Sequence, residues 1–298
     1  MPSDDEGARV KWKRVNGPGD MIDAGGPARR GRGVAVGGGG IGVAAIVVVL
    51  LLNVLSGGKF DVPMDFEQNV AAQAGSGDYP DPPEEDELAE FTSAVAVDVQ
   101  DVWARLFAEA GRPYTRAQIV RYRQAVETAC GSATSAAGPF YCPVDQRVYL
   151  DMSFYREMRD QLGAAGDFAW AYVIAHELGH HVQNLTGVFD RTQQLEAENR
   201  GISAGPQGLS VRTELQADCY AGVWGHAAQE NNQLEAGDLE EGLAAAEAVG
   251  DDRLQSRAGT VRPDTFTHGT SAQRRGWFMQ GFQSGAPGQC DTFSPDQV

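Results

Sequence analysis

The stretch 169–188, AWAYVIAHELGHHVQNLTGV, holds three of the chain's five histidines within six positions, and two of them flank a glutamate. Successive residues of a helix turn by about 100°, so i and i+4 share a face and His176 and His180 stack one turn apart. Both imidazoles can then reach one Zn2+ at about 2.0–2.1 Å. Glu177 lies about 100° round from His176, close enough to touch a water at that metal without binding the metal itself. Gly179 costs the helix about 1 kcal/mol of propensity relative to Ala, so a close backbone approach or a tightly packed metal site is expected there. Trp170, Tyr172, Val173, Ile174 and Leu178 wrap the helix in apolar surface. Two bare histidines and a glutamate in such a helix would be buried polar groups without partners, which is expensive. A zinc site therefore reads better than a solvated helix face.

Two histidines do not complete a catalytic site, which needs a third protein ligand and an open position for water. The stretch 211–224, VRTELQADCYAGVW, supplies Glu214, with Asp218 one turn further along the same helical face. Glu214 is the expected third ligand. Asp218 is expected to accept the spare N–H of His176 or His180 and fix its tautomer. Cys219 points away from the Glu214 face and is expected in a disulfide. His181 faces elsewhere and reads as a supporting or structural group, and His226 has no partner motif.

Further out, the helix 167–185 has Asp167 as its expected N-cap and Gly187 as its stop. A first amphipathic helix runs from about 88 to 110 and ends at Gly111-Arg-Pro. Gln118–Arg123 leans towards strand, and Phe140–Cys142 and Arg147–Leu150 flank a hairpin turn at Pro143-Val-Asp-Gln. Helices follow at about 153–162, 209–230, 237–249 and 271–283, with a polar segment at 190–208. No internal repeat is present. The fold class expected is α+β, mainly helical, with a small sheet or hairpin beside the helix that carries the histidines.

The formal net charge of −17 is unevenly placed: residues 1–58 carry net +2, leaving −19 for the rest. So acidic a domain excludes nucleic acid as the partner, because phosphate binding needs basic clusters. Gly33–Gly58 has no charged residue, and Ile41–Leu55 is dense in branched aliphatics, long enough to cross a bilayer. Arg29, Arg30 and Arg32 precede it, and PDPPEEDE follows at 80–87. These flanks imply a cytoplasmic disordered tail at 1–32, a single lipid-embedded helix at 33–57, an acidic linker at 58–86 and an extracytoplasmic domain at 87–298. All four cysteines lie on that outer side, where an even count suggests two disulfides in one of three pairings. Cys130–Cys142 closes a short loop and is preferred, and Cys219–Cys290 would then tie the last segment to a helix.

Taken together, HELGHH and ELQADCYAG resemble the neutral zinc metallopeptidase family of bacteria, of the YpfJ type. So do GPFYCPVDQRVYLD (138–151), GDDRLQ (250–255), HGTSAQRRGWFMQGF (268–282) and QCDTF (289–293), which occur in order. The resemblance spans roughly 87–298. It implies a zincin-like fold of the gluzincin type, one Zn2+ per chain and Glu214 as third ligand in an E-x-x-x-D pattern. The activity implied is a membrane-anchored zinc metallopeptidase acting on a peptide or protein at the outer face of the membrane, with Glu177 as general base. His268, Tyr149 and Tyr220 are candidates to stabilise the oxyanion, and Arg147–Leu150 is the expected strand beside an extended substrate. Two other readings stand beside it: a membrane-tethered scaffold whose zinc is structural, closed by a fourth ligand such as His268 or Cys219, and hydrolysis of a non-protein amide. Substrate preference and oligomeric state are not written in the sequence.

Overall fold

The computed structural model describes residues 21–23, 82–123, 125–198, 203–294 and 298. Strand β1 is Met21–Asp23 and helix α1 is Pro82–Glu109. Strands β2 (Gln118–Tyr122), β3 (Ala125–Thr128), β4 (Gly131–Thr134), β5 (Phe140–Cys142) and β6 (Arg147–Asp151) follow. The remainder is helical: α2 (Ser153–Glu157, continuing as a wider turn to Leu162), α3 (Asp167–Thr186), α4 (Val188–Ala197), α5 (Leu209–Glu230), α6 (Asp238–Ala248), α7 (Asp251–Ala258) and α8 (Ser271–Ser284). The α+β, mainly helical class is what the sequence led one to expect.

The main sheet has the order β1-β2-β6-β5. β2 pairs with β6 in parallel, Ile119 opposite Val148, and β5 pairs with β6 antiparallel. β3 and β4 form a separate hairpin. The strand next to the histidine-bearing helix is therefore β5, and β6 lies inside the sheet. The expectation that Arg147–Leu150 offers a free edge is corrected, because β2 and β5 occupy both of its sides.

Helix α3 is the spine of the core. Sixteen of its residues, 168 to 183, are buried in an unbroken run. Trp170 is wholly buried, and its Nε1 donates to Thr92 Oγ1 of α1 at 2.9 Å. Trp224 stacks on Phe168 with ring centroids 5.6 Å apart, and its Nε1 donates to Asp98 Oδ2. Each aromatic thus buries its body and satisfies its polar tip, which pins α1 to α3 and α5. At Gly179 an added Cβ would lie 3.0 Å from the Ala217 carbonyl. The missing side chain lets α3 and α5 approach as the sequence required. A methyl group at Gly281 would overlap the Cys219 carbonyl, so α8 packs on α5 equally closely. Both disulfides, Cys130–Cys142 and Cys219–Cys290, form in the preferred pairing.

Several details differ from expectation. Helix α1 begins at Pro82, inside the expected linker, because proline is tolerated in a first helical turn. Asp167 is the first helical residue rather than the N-cap, a position held by Gly166. Helix α4 lies in the segment read as polar loop, and α7 and the β3–β4 hairpin were not anticipated. Within the tail expected to be disordered, Met21–Asp23 pairs in parallel with β2. Among the described residues no helix is long and apolar enough to cross a membrane, and the segment 33–57 lies outside them.

Candidate metal centre

Helices α3 and α5 cross at Gly179 and Ala217, which brings His176, His180 and Glu214 together. One ligand atom from each lies within 4.8 Å of the others. His176 Nε2 is 3.1 Å and His180 Nε2 3.4 Å from the Glu214 carboxylate. Ligands about 2.1 Å from a tetrahedral zinc stand roughly 3.4 Å apart, so the spacing suits that ion. All three residues are buried, at 6%, 6% and 3% exposure. A carboxylate so deeply buried would be costly without cationic neighbours. Burial alone would raise the Glu214 carboxyl, but His180 and His176 hold it far below the usual carboxylate range.

Each imidazole is oriented from behind. His176 Nδ1–H donates to Asp218 Oδ1 at 2.8 Å, which leaves Nε2 to face Glu214. Asp218 is wholly buried and takes two hydrogen bonds from Arg274, Nε to Oδ2 at 2.8 Å and Nη2 to Oδ1 at 2.9 Å. The Tyr172 hydroxyl donates to the same Oδ1 at 2.5 Å. This bidentate pair carries the strongest kind of hydrogen bond available to it. His180 is held more lightly: its Nδ1 meets Gln183 Oε1 at 2.8 Å. The Gln183 amide nitrogen donates to Thr213 O and Gln216 Oε1, which fixes the amide with its oxygen towards the histidine. Arg274 and Gln183 were not singled out beforehand, and Tyr172 was read only as apolar cover of the helix. Arg274 sits inside HGTSAQRRGWFMQGF, and an arginine in an otherwise packed helix was the signal available.

Glu177 is 7% exposed. Burial pushes its carboxyl up to about 7, opposed by His176. His268 is buried at the same cleft; its Nδ1 is 3.3 Å from Asp251 Oδ1, while Asp251 Oδ2 accepts the backbone N–H groups of Thr267, His268 and Gly269. Burial would lower the His268 pKa, but the Asp251 contact prevails and raises it. The other two oxyanion candidates are corrected. Tyr149 donates to Asp145 Oδ2 at 2.7 Å and stacks on Phe140, away from the metal ligands. Tyr220 packs edge-on against Trp103 within the core. Neither lines the cleft. His181 is structural: it accepts from the Tyr141 hydroxyl and donates to Thr115 O, tying β5 and the loop before β2 to α3. Cys219 is held in its disulfide, so among the described residues three donors converge.

The cleft above these groups has a volume of about 170 Å³. One wall is Ala133, Ala137, Gly138, Pro139 and Phe140; the other includes Val173, His176, Glu177, His180 and Glu214. Two histidines and a carboxylate at a cleft form a donor set that suits a zinc ion, with a further carboxyl pushed towards neutrality beside it. The chain belongs to the family described as "Putative neutral zinc metallopeptidase", whose model matches residues 6–293. The match reaches well beyond the expected 87–298 and takes in the segment around β1. Among its relatives is "Uncharacterized protein YpfJ" of Escherichia coli, 54% identical over 212 residues, or 71% of this chain and 73% of that one. An uncharacterised protein of Mycobacterium tuberculosis is 47% identical over 208 residues, covering 66% of this chain and 67% of its own. No solved structure matches.

Proposed function

We propose that the chain is a zinc-dependent peptidase with a zincin-like, gluzincin-type site, in which His176, His180 and Glu214 hold one Zn2+ and Glu177 is the general base. The observation that carries it is the convergence of three buried donor atoms at zinc-like spacing, each imidazole turned by a partner on its far nitrogen. Zinc bound there would polarise the scissile carbonyl and bring a water towards a pKa near 7. Glu177, with its carboxyl near 7, takes the proton of the attacking water and returns it to the leaving nitrogen. His268, whose pKa Asp251 raises against the effect of burial, faces the cleft as the donor to the developing oxyanion. Strand β5, the edge beside the cleft, offers its free backbone groups to an extended peptide.

The test is Glu177→Gln in the zinc-loaded, full-length protein, assayed on casein and peptides. Turnover should fall about 10²–10⁴-fold with zinc content unchanged. Equal cleavage by variant and parent ends the mechanism. For location, the proposal is attachment to the membrane through 33–57 with the disulfide-bonded domain outside the cytoplasm. Labelling of Val261→Cys, an exposed position of the domain, in intact cells by a membrane-impermeant maleimide decides the location: labelling sets the domain outside the cytoplasm, and protection overturns the proposal.

A further inference from the structure

The cleft carries one formal charge that the metal centre does not use. His176, His180, Glu214 and Glu177 form the centre, and Arg274 is neutralised by Asp218. His268 is matched by Asp251. That leaves Glu157, at the end of α2, which also lines the cleft. It is half-buried, and no hydrogen bond or ion pair engages its carboxylate among the described residues. Burial raises its pKa, and the neighbouring Asp151 raises it further. Asp151 is wholly buried, and its Oδ2 has no hydrogen-bond partner. Two carboxylates close together, with no cation between them, are an arrangement that a cation would relieve.

The surroundings of Glu157 are apolar and built. Phe154 and Leu162 of the same segment and Val173 of α3 are buried, Leu254 and Val249 pack against the same core, and all five line the cleft with Glu157. Val173 lies one helical turn before His176 on the same face. Arg257 of α7 donates to the carbonyls of Gln161 and Leu162 at 2.7 and 3.1 Å, which fixes α7 against this segment. This end of the cleft therefore forms an apolar sleeve in which Glu157 is the carboxylate outside the metal centre that lines the cleft.

We infer that Glu157 is a specificity-determining residue: the sleeve between α2, α3 and α7 takes the aliphatic stem of a substrate lysine or arginine, and Glu157 pairs with its charged tip. A long side chain with an apolar stem and cationic end matches both properties of the sleeve. This deepens the peptidase reading and rests on it, so the experiment has two arms. In the first, zinc-loaded full-length Glu177→Gln protein is titrated with two fluorescent octapeptides identical except for a central lysine or norleucine. The lysine peptide should bind about tenfold more tightly than the norleucine one, and Glu157→Gln in the same background should bring that ratio close to one. In the second, the parent and Glu157→Lys are given a peptide library. Cleavage sites should cluster at lysine and arginine for the parent and shift towards glutamate and aspartate for the variant. Equal binding of the two octapeptides, or a lysine preference that survives Glu157→Gln, overturns the assignment. Selective binding without cleavage in any library would overturn the peptidase reading and leave the sleeve standing.

Discussion

Helices α3, α5 and α8 surround their polar side chains with partners: Asp218 accepts from His176, Tyr172 and Arg274 at once, and Gln183 reaches three neighbours. The wall facing them, from β3, β4 and β5, is built mostly of small and aromatic apolar groups. Groups that handle protons and metal need fixed positions within fractions of an ångström, and dense hydrogen bonding supplies that. A wall that meets varied side chains needs shape and dryness more than fixed polar atoms. The helical half should therefore hold the chemistry, and the stranded half should hold the fit.

The largest expected effect tests this division directly. Glu177→Gln should lower turnover by about 10²–10⁴-fold with little change in stability. Tyr141→Phe, on the stranded side, leaves the Asn184 amide and His181 Nδ1 without their shared partner. It should cost about 1–3 kcal/mol of stability and alter turnover far less. Comparable losses of turnover in the two variants would erase the distinction between the halves.

Each half also has its own disulfide. Cys219–Cys290 spans 71 residues and Cys130–Cys142 spans 12. Loop-closure entropy predicts that removing the first bridge as a double serine variant costs about 4.4 kcal/mol, and the second about 3 kcal/mol. Denaturant melts of the two variants check the order. Only the first should lower zinc content, because Cys219 lies on α5 five residues after Glu214.

How far the sequence foretold all this depends on the kind of signal. Helical spacing was enough for α3 and α5, since His176, His180, Glu214 and Asp218 sit on long periodic segments whose faces are fixed by geometry. The β5–β6 hairpin was marked by its turn residues. The β3–β4 hairpin was invisible because its strands are four residues each, polar, and half-exposed. Parallel pairing of β2 with β6 and the addition of β1 are long-range matters that no local pattern carries. Helix α7 has few apolar residues, and it was read only as a motif. Arg274 escaped because nothing in its local sequence tells of the aspartate 56 residues away that it pairs with. Tyr149 and Tyr220 were candidates by residue type alone, and packing gave them other partners.

The two histidine supports within the helical half make a finer contrast. Asp218→Asn breaks a charge pair and leaves Arg274 buried beside a neutral amide. It should weaken zinc binding about 10–100-fold, measured by competition with a chelator. Gln183→Leu removes a neutral acceptor from His180 and should weaken it by less. The reverse order would mean that charge at Asp218 does not set the basicity of His176.

The smallest expected effect concerns the start of α3. Glu241 Oε2 accepts the Phe168 N–H at 3.2 Å, so a carboxyl from α6 caps the helix that carries the histidines. Burial, and then Asp167, pushes its carboxyl up to about 7. The folded state therefore holds this proton more tightly than the unfolded chain, whose glutamate titrates near 4.5. The stabilisation tied to that proton is complete below the lower value and is lost as pH rises through about 7. Because Glu241 is partly exposed, solvent screening keeps the effect below about 1 kcal/mol. Glu241→Gln keeps an amide oxygen for Phe168 and has no proton to lose. Its Tm should fall less than the parent's between about pH 5 and pH 8. An identical fall in both proteins would assign the slope to other carboxyls and leave Glu241 as a cap whose charge does not matter to α3.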